Sequence, residues 1–192
     1  MTGIEDRLRT AVPDIDLARL ARDEGLLDVA VAHVDSPIGD LLLASTPLGL
    51  VRVSFFGHDD TLADLAARIS PRILESPSAL DPVRRQLDEY FDGRRQRFDL
   101  TIDWALVGEW GRKVLAACAQ IPFGEVSTYG AVAAVAGSPK AFRAAGTALG
   151  HNPVPVVVPC HRVLAAGGKL GGYTGGTHIK EHLLRLEGAL LA

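Results

Sequence analysis

The chain has 192 residues, 47% of them hydrophobic and 22% charged, a balance that supports one or two packed domains and excludes a globally disordered chain. No stretch reaches the roughly 18 uninterrupted apolar residues of a membrane helix, and Glu5, Asp6 and Asp14 near the start do not fit a secretion signal, so the chain reads as cytoplasmic with no membrane partner. The net charge of −3 hides an asymmetry: residues 1–104 hold 12 basic and 19 acidic side chains, whereas residues 105–192 hold 8 and 4, which points the second half toward a polyanion.

Residues 3–27 place Leu8, Ala11, Ile15, Leu17, Leu20 and Ala21 at helical spacing, broken near Pro13. They predict one or two short helices that act as a surface appendage or packing arm. Three strands follow, at 29–34, 40–45 and 48–56, separated by the turn residues Asp35-Ser36-Pro37-Ile38-Gly39 and Thr46-Pro47-Leu48-Gly49. Helices are predicted over 59–69 and 82–91, the second closing at Gly93. Gly93-Arg94-Arg95-Gln96-Arg97 is a solvated turn or, less simply, a nucleic-acid patch. Residues 98–104 read as a last strand or extended linker, and the domain boundary falls near 103–106, dividing the chain into 1–104 and 105–192.

The second half opens with a helix over 108–119, with Val114, Leu115 and Cys118 on one face. A turn at 121–126 leads to a helix over 127–136 capped by Ser127 or Thr128. Gly137-Ser138-Pro139 ends it, and Lys140 to Gly150 forms the next. Two short helices joined by a Gly-containing turn make a helix-turn-helix. The second, Lys140-Ala141-Phe142-Arg143-Ala144-Ala145-Gly146-Thr147-Ala148-Leu149-Gly150, is rich in small residues around one large cation, Arg143. Small side chains allow close approach to another surface.

The organising stretch is Asn152-Pro153-Val154-Pro155-Val156-Val157-Val158-Pro159-Cys160-His161-Arg162-Val163. Its prolines keep it out of a helix, and its valines favour a strand-like buried segment. It delivers a cysteine beside two cationic groups, and a neighbouring positive charge favours the nucleophilic thiolate. Two cysteines make no disulfide framework. No Cys-x-x-Cys or Cys/His cluster offers a zinc site, and His178 and His182 at i, i+4 read as surface residues; neither metal nor cofactor is expected. Beyond Cys160, the segment 164–176 is a glycine-dense loop without phosphate-loop spacing. A last helix is predicted over 177–191, with Leu183, Leu184, Leu186 and Leu190 as its buried stripe.

Pro159-Cys160-His161-Arg162-Val163, preceded by Gly150-His151-Asn152-Pro153-Val154-Pro155, resembles the active-site signature of the O6-alkylguanine-DNA alkyltransferases. The likeness runs from about Phe123 to Gly188 and takes in Ser127-Thr128-Tyr129 and Ser138-Pro139-Lys140-Ala141-Phe142-Arg143-Ala144. It implies an α+β fold, with a small antiparallel-sheet, ribonuclease H-like N-terminal domain and a mainly helical C-terminal domain carrying the helix-turn-helix. It also implies single-turnover DNA repair. An alkyl group passes from O6-alkylguanine, or O4-alkylthymine, in double-stranded DNA to Cys160 after the base is flipped from the minor groove. Under the resemblance Cys160 is the nucleophile, His161 its base and Glu187 the orienting acid; Tyr129 serves the guanine ring near N3. Asn152 holds the turn ahead of the active-site segment by side-chain to backbone bonds. Arg143 fills the vacated stack, with Ala141, Ala144, Gly146 and Thr128 at the DNA. Pro155, Val163, Tyr173, Thr174 and Gly175 wall the alkylguanine pocket. The protein is expected to be a monomer, with cooperativity on DNA left open. Phe142 departs from some relatives, which have a small residue there; it either alters the groove contact or faces the core. Arg162 either organises backbone or aids thiolate formation. Extended geometry would turn His161 away from the sulfur, so a bridging water or a turn at Cys160 is required.

Three other readings use the same residues. A Cys-His-Glu hydrolase would need an oxyanion hole and gives no reason for the helix-turn-helix. A lesion-binding module without transfer shares the fold but lacks the cysteine. A transcriptional regulator would need a further regulatory domain.

Overall fold

In the computed structural model, which describes residues 20–21 and 24–190, the sheet is built from β1 (Val29–Val34), β2 (Leu41–Thr46), β3 (Gly49–Ser54) and β4 (Ile73–Glu75) in the order β3-β2-β1-β4. Of the helical stretch predicted over 3–27, residues 3–19, 22 and 23 lie outside the described residues. The sheet is mixed: β1–β2 and β2–β3 are antiparallel, as expected, whereas β4 adds a strand parallel to β1. The chain reaches β4 through helix α1 (His58–Arg68), and such a crossover returns a strand in its original direction. Three residues are too few to show a period, so Ile73-Leu74-Glu75 escaped the sequence pattern.

Alternation along β1 and β2 feeds two faces. Val29, Val31, Leu42 and Ala44 pack with Val51 and with Leu65 of α1. Ala32, Val34, Leu41 and Leu43 face the main core with Leu80, Val83, Leu87 and Tyr90 of helix α2 (Pro77–Phe91). That helix begins five residues before the predicted start at Pro82. Pro77 takes the first helical position, where no N–H is needed, and Leu80 extends the buried stripe backward.

Residues 98–104 form no full strand. They run beside β3 through one bridge, Leu50 to Ile102, with Leu50 N–H donating to the Thr101 carbonyl at 2.9 Å and Asp103 N–H to the Leu50 carbonyl at 2.9 Å. Gly49 permits this: a Cβ there would sit 2.4 Å from the Thr101 oxygen, at φ +138°.

The second half comprises α3 (Glu109–Cys118), β5 (Ser127–Thr128), α4 (Tyr129–Val135), α5 (Phe142–Gly150), a 3-10 turn (Cys160–Arg162), β6 (Val163–Leu164), a 3-10 turn (Ala166–Gly168) and α6 (Thr177–Leu186). Thr128 caps α4 by accepting from Ala131 N–H at 3.2 Å. Strands β5 and β6 pair in parallel and hold the start of α4 beside the Cys160 segment. The last helix stops at Leu186, short of the predicted 191, because Glu187 turns inward and Gly188 takes φ +72°.

The main core is continuous across both halves, running from Leu41 and Tyr90 to Val114, Val158 and Leu183. Three contacts carry it into the Cys160 region. Val53 N–H donates to the Pro153 carbonyl at 2.8 Å, Phe55 packs on Tyr173 with ring centroids 5.8 Å apart, and Tyr90 reaches Glu187.

Candidate active site

The run from Val154 to Val158 is buried but is not the expected strand. Val158 N–H donates back to the Val154 carbonyl at 2.9 Å, and Cys160 N–H to the Val158 carbonyl at 2.8 Å. Val156 sits at φ +72°, a left-handed conformation that costs a β-branched residue about 1–3 kcal/mol. Asn152 holds this folded loop. Its Nδ2 donates to the Val158 carbonyl at 2.9 Å and to Cys160 Sγ at 3.2 Å, while its Oδ1 accepts from Val154 N–H at 3.1 Å. The segment therefore enters a 3-10 turn at Cys160, and a turn in place of a strand is what allows Cys160, His161 and Arg162 all to be buried.

Cys160 is 5% exposed. Burial pushes its thiol up to about 11, against the opposing pull of the Asn152 hydrogen bond and the Lys180 charge. At neutral pH it is a thiol, so attack requires a proton acceptor. Arg162 does not supply the thiolate-favouring charge that adjacency implied. Its Nε and Nη2 donate to Glu187 Oε2 and Oε1 at 2.8 and 2.9 Å, and its Nη1 to the Ile121 carbonyl at 2.6 Å. The guanidinium is spent on the carboxylate and on backbone, which decides between its two open roles.

Glu187 is the hub. Besides Arg162, its Oε1 accepts from Tyr90 Oη at 2.6 Å and from His161 Nε2 at 2.8 Å, and its Oε2 accepts weakly from Gly124 N–H at 3.4 Å. Burial alone would raise its pKa, but His161, Arg162 and Tyr90 outweigh that and hold the carboxyl down at about 2. Burial also lowers the His161 pKa against the pull of Glu187, so the ring is neutral. With Nε2–H given to Glu187, Nδ1 keeps its lone pair. It is buried with no protein partner among the described residues. That is the configuration of an oriented general base.

A cavity of about 300 Å³ opens onto Cys160 and is lined by Tyr129, Gly146, Leu149, Gly150, Gly172, Tyr173 and Thr174. The glycine-dense loop forms one wall, pinned by Thr174 Oγ1 donating to the Gly150 carbonyl at 3.0 Å. Gly171 keeps that wall close: a Cβ there would lie 3.2 Å from Tyr129 Oη. Of the five predicted pocket residues, Tyr173 and Thr174 line this cavity. Val163 is buried away from it, its carbonyl accepting from Lys180 Nζ at 2.6 Å. Pro155 is buried within the folded loop, and Gly175 packs against Phe55.

Among the predicted DNA-contact residues, Thr128, Arg143 and Ala144 are exposed and Ala141 is half-buried. Gly146 instead turns toward the cavity, where a Cβ would meet the Tyr129 ring at 3.6 Å. Phe142 is 49% exposed and carries the Arg143 guanidinium over its ring at 5.4 Å, so it faces solvent with Arg143 rather than the core.

Sequence reasoning missed Tyr90, Lys180, Leu149 and Gly172. Lys180 had a signal, since it lies three and four residues before Leu183 and Leu184 on the buried face of α6. Tyr90 had none, being 97 residues from Glu187.

Two family models match the chain. Residues 29–104 match the ribonuclease-like domain, and residues 109–189 the DNA-binding domain, of 6-O-methylguanine DNA methyltransferase. The chain belongs to the O6-methylguanine DNA methyltransferase family. Methylated-DNA–protein-cysteine methyltransferases similar to it include that of Methanosarcina acetivorans, 41% identical over 159 residues, covering 82% of this chain and 97% of the relative. That of Mycolicibacterium paratuberculosis is 43% identical over 163 residues, covering 80% and 89%. The crystal structure of Mycobacterium tuberculosis O6-methylguanine methyltransferase superposes with a TM-score of 0.71 at 35% identity, covering 85% of this chain and 95% of that one. The same organism's protein in complex with DNA gives 0.71 at 36% identity, covering 85% and 94%. Membership of this family makes the chain a DNA-repair methyltransferase for O6-methylguanine, which replaces the hydrolase reading.

Proposed function

We propose that Cys160 is the methyl acceptor, and that the protein repairs O6-alkylguanine, and O4-alkylthymine, in double-stranded DNA once per molecule. The observation that supports this is a buried thiol lining a cavity, followed in the chain by a buried His161 whose Nε2 is held by an ionised Glu187. The thiol proton passes through a water to His161 Nδ1, and Glu187 balances the imidazolium. Sulfur then bonds to the alkyl carbon as the carbon–O6 bond breaks. The departing guanine leaves as an anion and takes up a proton from water at a ring nitrogen, while the His161 imidazolium returns its proton to water, so that the net transfer is alkyl from O6 to sulfur and one proton from sulfur to guanine. Burial raises the Tyr129 pKa, so its hydroxyl stays protonated and donates to the ring near N3. The resulting thioether has no leaving group for water to displace, so the acceptor is not regenerated.

O6 lies inside the paired stack, so sulfur reaches its carbon only after the nucleotide is extruded. The exposed helix α5, with small residues around Arg143, supports entry from the minor groove, with Arg143 replacing the flipped base. Residues 105–192 carry the DNA binding and transfer, and residues 1–104 supply Tyr90 to the relay. The protein works as a monomer in the cytoplasm; no described helix is long and apolar enough to cross a membrane.

The test is intact mass after incubation with duplex DNA containing O6-methylguanine, with unmodified duplex as control. A gain of one methyl per chain, mapped to the Cys160 peptide, is expected. Cys118 is buried in the core, and burial raises its thiol pKa; a methyl found there would overturn the assignment. Arg143→Ala is expected to slow transfer from duplex DNA about 10- to 100-fold, because unstacking costs a few kcal/mol. Transfer from the free O6-alkylguanine base should be unchanged. Equal losses on both substrates would place Arg143 outside the flipping step.

A further inference from the structure

We propose that His33, Asp40 and His58 form a binding site for a divalent transition-metal ion, of which Zn2+ is the representative, on the surface of the N-terminal sheet. The sheet geometry explains why three residues so separated in sequence converge. In β1 the residues facing α1 are Val29 and Val31, and the two-residue period puts His33 next in that row, at the one exposed position of the strand. His33 pairs with Leu42 across the sheet, so Asp40 is its diagonal neighbour on the same face. The turn between them is closed by Gly39 N–H donating to the Ser36 carbonyl at 3.0 Å and by Ser36 Oγ donating to the Gly39 carbonyl at 2.6 Å. Helix α1 covers this face, and His58 is its first residue.

One ligand atom from each side chain lies within 4.8 Å of the others. Asp40 Oδ2 is 2.9 Å from His33 Nδ1 and 3.4 Å from His58 Nδ1, and the two rings meet edge-on with centroids 4.9 Å apart. Donors bound to a tetrahedral zinc at its usual bond lengths sit about 3.3 Å apart. The three side chains are therefore near ligand spacing without movement of the backbone. His58 is the more enclosed ring, and its Nε2 is buried without a hydrogen-bond partner among the described residues.

Two imidazoles and one carboxylate favour zinc, copper or nickel over magnesium or calcium, which prefer all-oxygen sites. The remaining coordination positions face solvent, since His33 and Asp40 are about half exposed on their side chains. The surroundings favour a cation: Asp59 and Asp60 occupy the first turn of α1, offsetting its positive end, and Asp35 lies two residues beyond His33 in sequence. The site is remote in sequence from Cys160 and independent of methyl transfer. Bound metal would tie the β1–β2 hairpin to the start of α1.

The experiment titrates the metal-free protein with ZnCl2, reading stoichiometry by calorimetry and melting temperature by differential scanning. His33→Gln, Asp40→Asn and His58→Gln are measured in parallel. The expected result is one ion per wild-type chain and a melting-temperature rise of about 5–10 °C at a hundredfold excess over Kd, with both lost in His33→Gln, Asp40→Asn and His58→Gln. Circular dichroism of the variants, two of them at largely exposed positions, verifies the fold. Any ion bound through Cys160 or Cys118 would survive all three substitutions. Binding equal in wild type and variants, or no binding in wild type, would overturn the site.

Discussion

Glu187→Gln is expected to destabilise the protein by about 3–5 kcal/mol, the usual cost of removing one partner from a buried ion pair, and to cripple methyl transfer in whatever remains folded. The carboxylate accepts from Tyr90, His161 and Arg162, and its side chain is inaccessible to solvent. An amide presents one oxygen and one NH2, so an N–H would confront donors, and the Arg162 charge would be left in the interior without a counter-ion. The pKa gives an independent figure. Depression from 4.5 to about 2 corresponds to about 3 kcal/mol of stability. Because the folded value is the lower one, that stability is fully present above about pH 4.5 and is lost as the pH falls toward 2. Urea denaturation of wild type across pH 2–7 should therefore show an acid limb that is shallower in Glu187→Gln by about 3 kcal/mol, the remainder coming from groups such as Asp28 and His161. Identical limbs in the two proteins would mean that Glu187 is not the linked group.

The ease with which this hub could be found differed from residue to residue. Cys160, His161 and Arg162 stand together in the sequence, and a thiol beside two such groups invites a chemical reading. Their geometry does not follow from adjacency. A strand would have turned His161 away from Cys160; the Asn152 bonds, the left-handed Val156 and the backbone bonds from Val158 and Cys160 make the turn that buries all three. Glu187 was singled out by family resemblance, because a lone glutamate before Gly188 otherwise reads as a surface residue. Tyr90 was illegible because hydrogen bonding between distant elements leaves no local period. The fold follows the same division. Val29–Val34 and Leu41–Thr46 were readable from alternation and turn chemistry, whereas β4 was too short to alternate and the start of α2 was masked by Pro82, which lies inside the helix and reads as its beginning. The His33–Asp40–His58 cluster is invisible for the reason Tyr90 is: its spacing in sequence matches no ligand motif, and only the diagonal across a hairpin and the start of a helix bring it together.

His161→Gln is expected to slow methyl transfer about 10²- to 10⁴-fold, the usual contribution of a positioned proton acceptor, and to change the shape of the pH profile. On the proposed path the acceptor is a neutral imidazole whose pKa burial has lowered. The rate should then be nearly level from neutral pH upward and fall in acid as His161 takes a proton. Without His161 the thiol must ionise by itself, against the burial that holds it up to about 11. The variant's rate should climb about tenfold per pH unit through the neutral range toward that value. The slope separates a chemical role from a structural one. His161 is fully buried, so its replacement also lowers stability, but a packing defect would scale the rate at every pH and leave the plateau in place. Single-turnover transfer from O6-methylguanine duplex, followed from pH 6 to 10, reads both outcomes. A level profile in the variant would remove His161 from the proton path and leave it as a strut between Cys160 and Glu187.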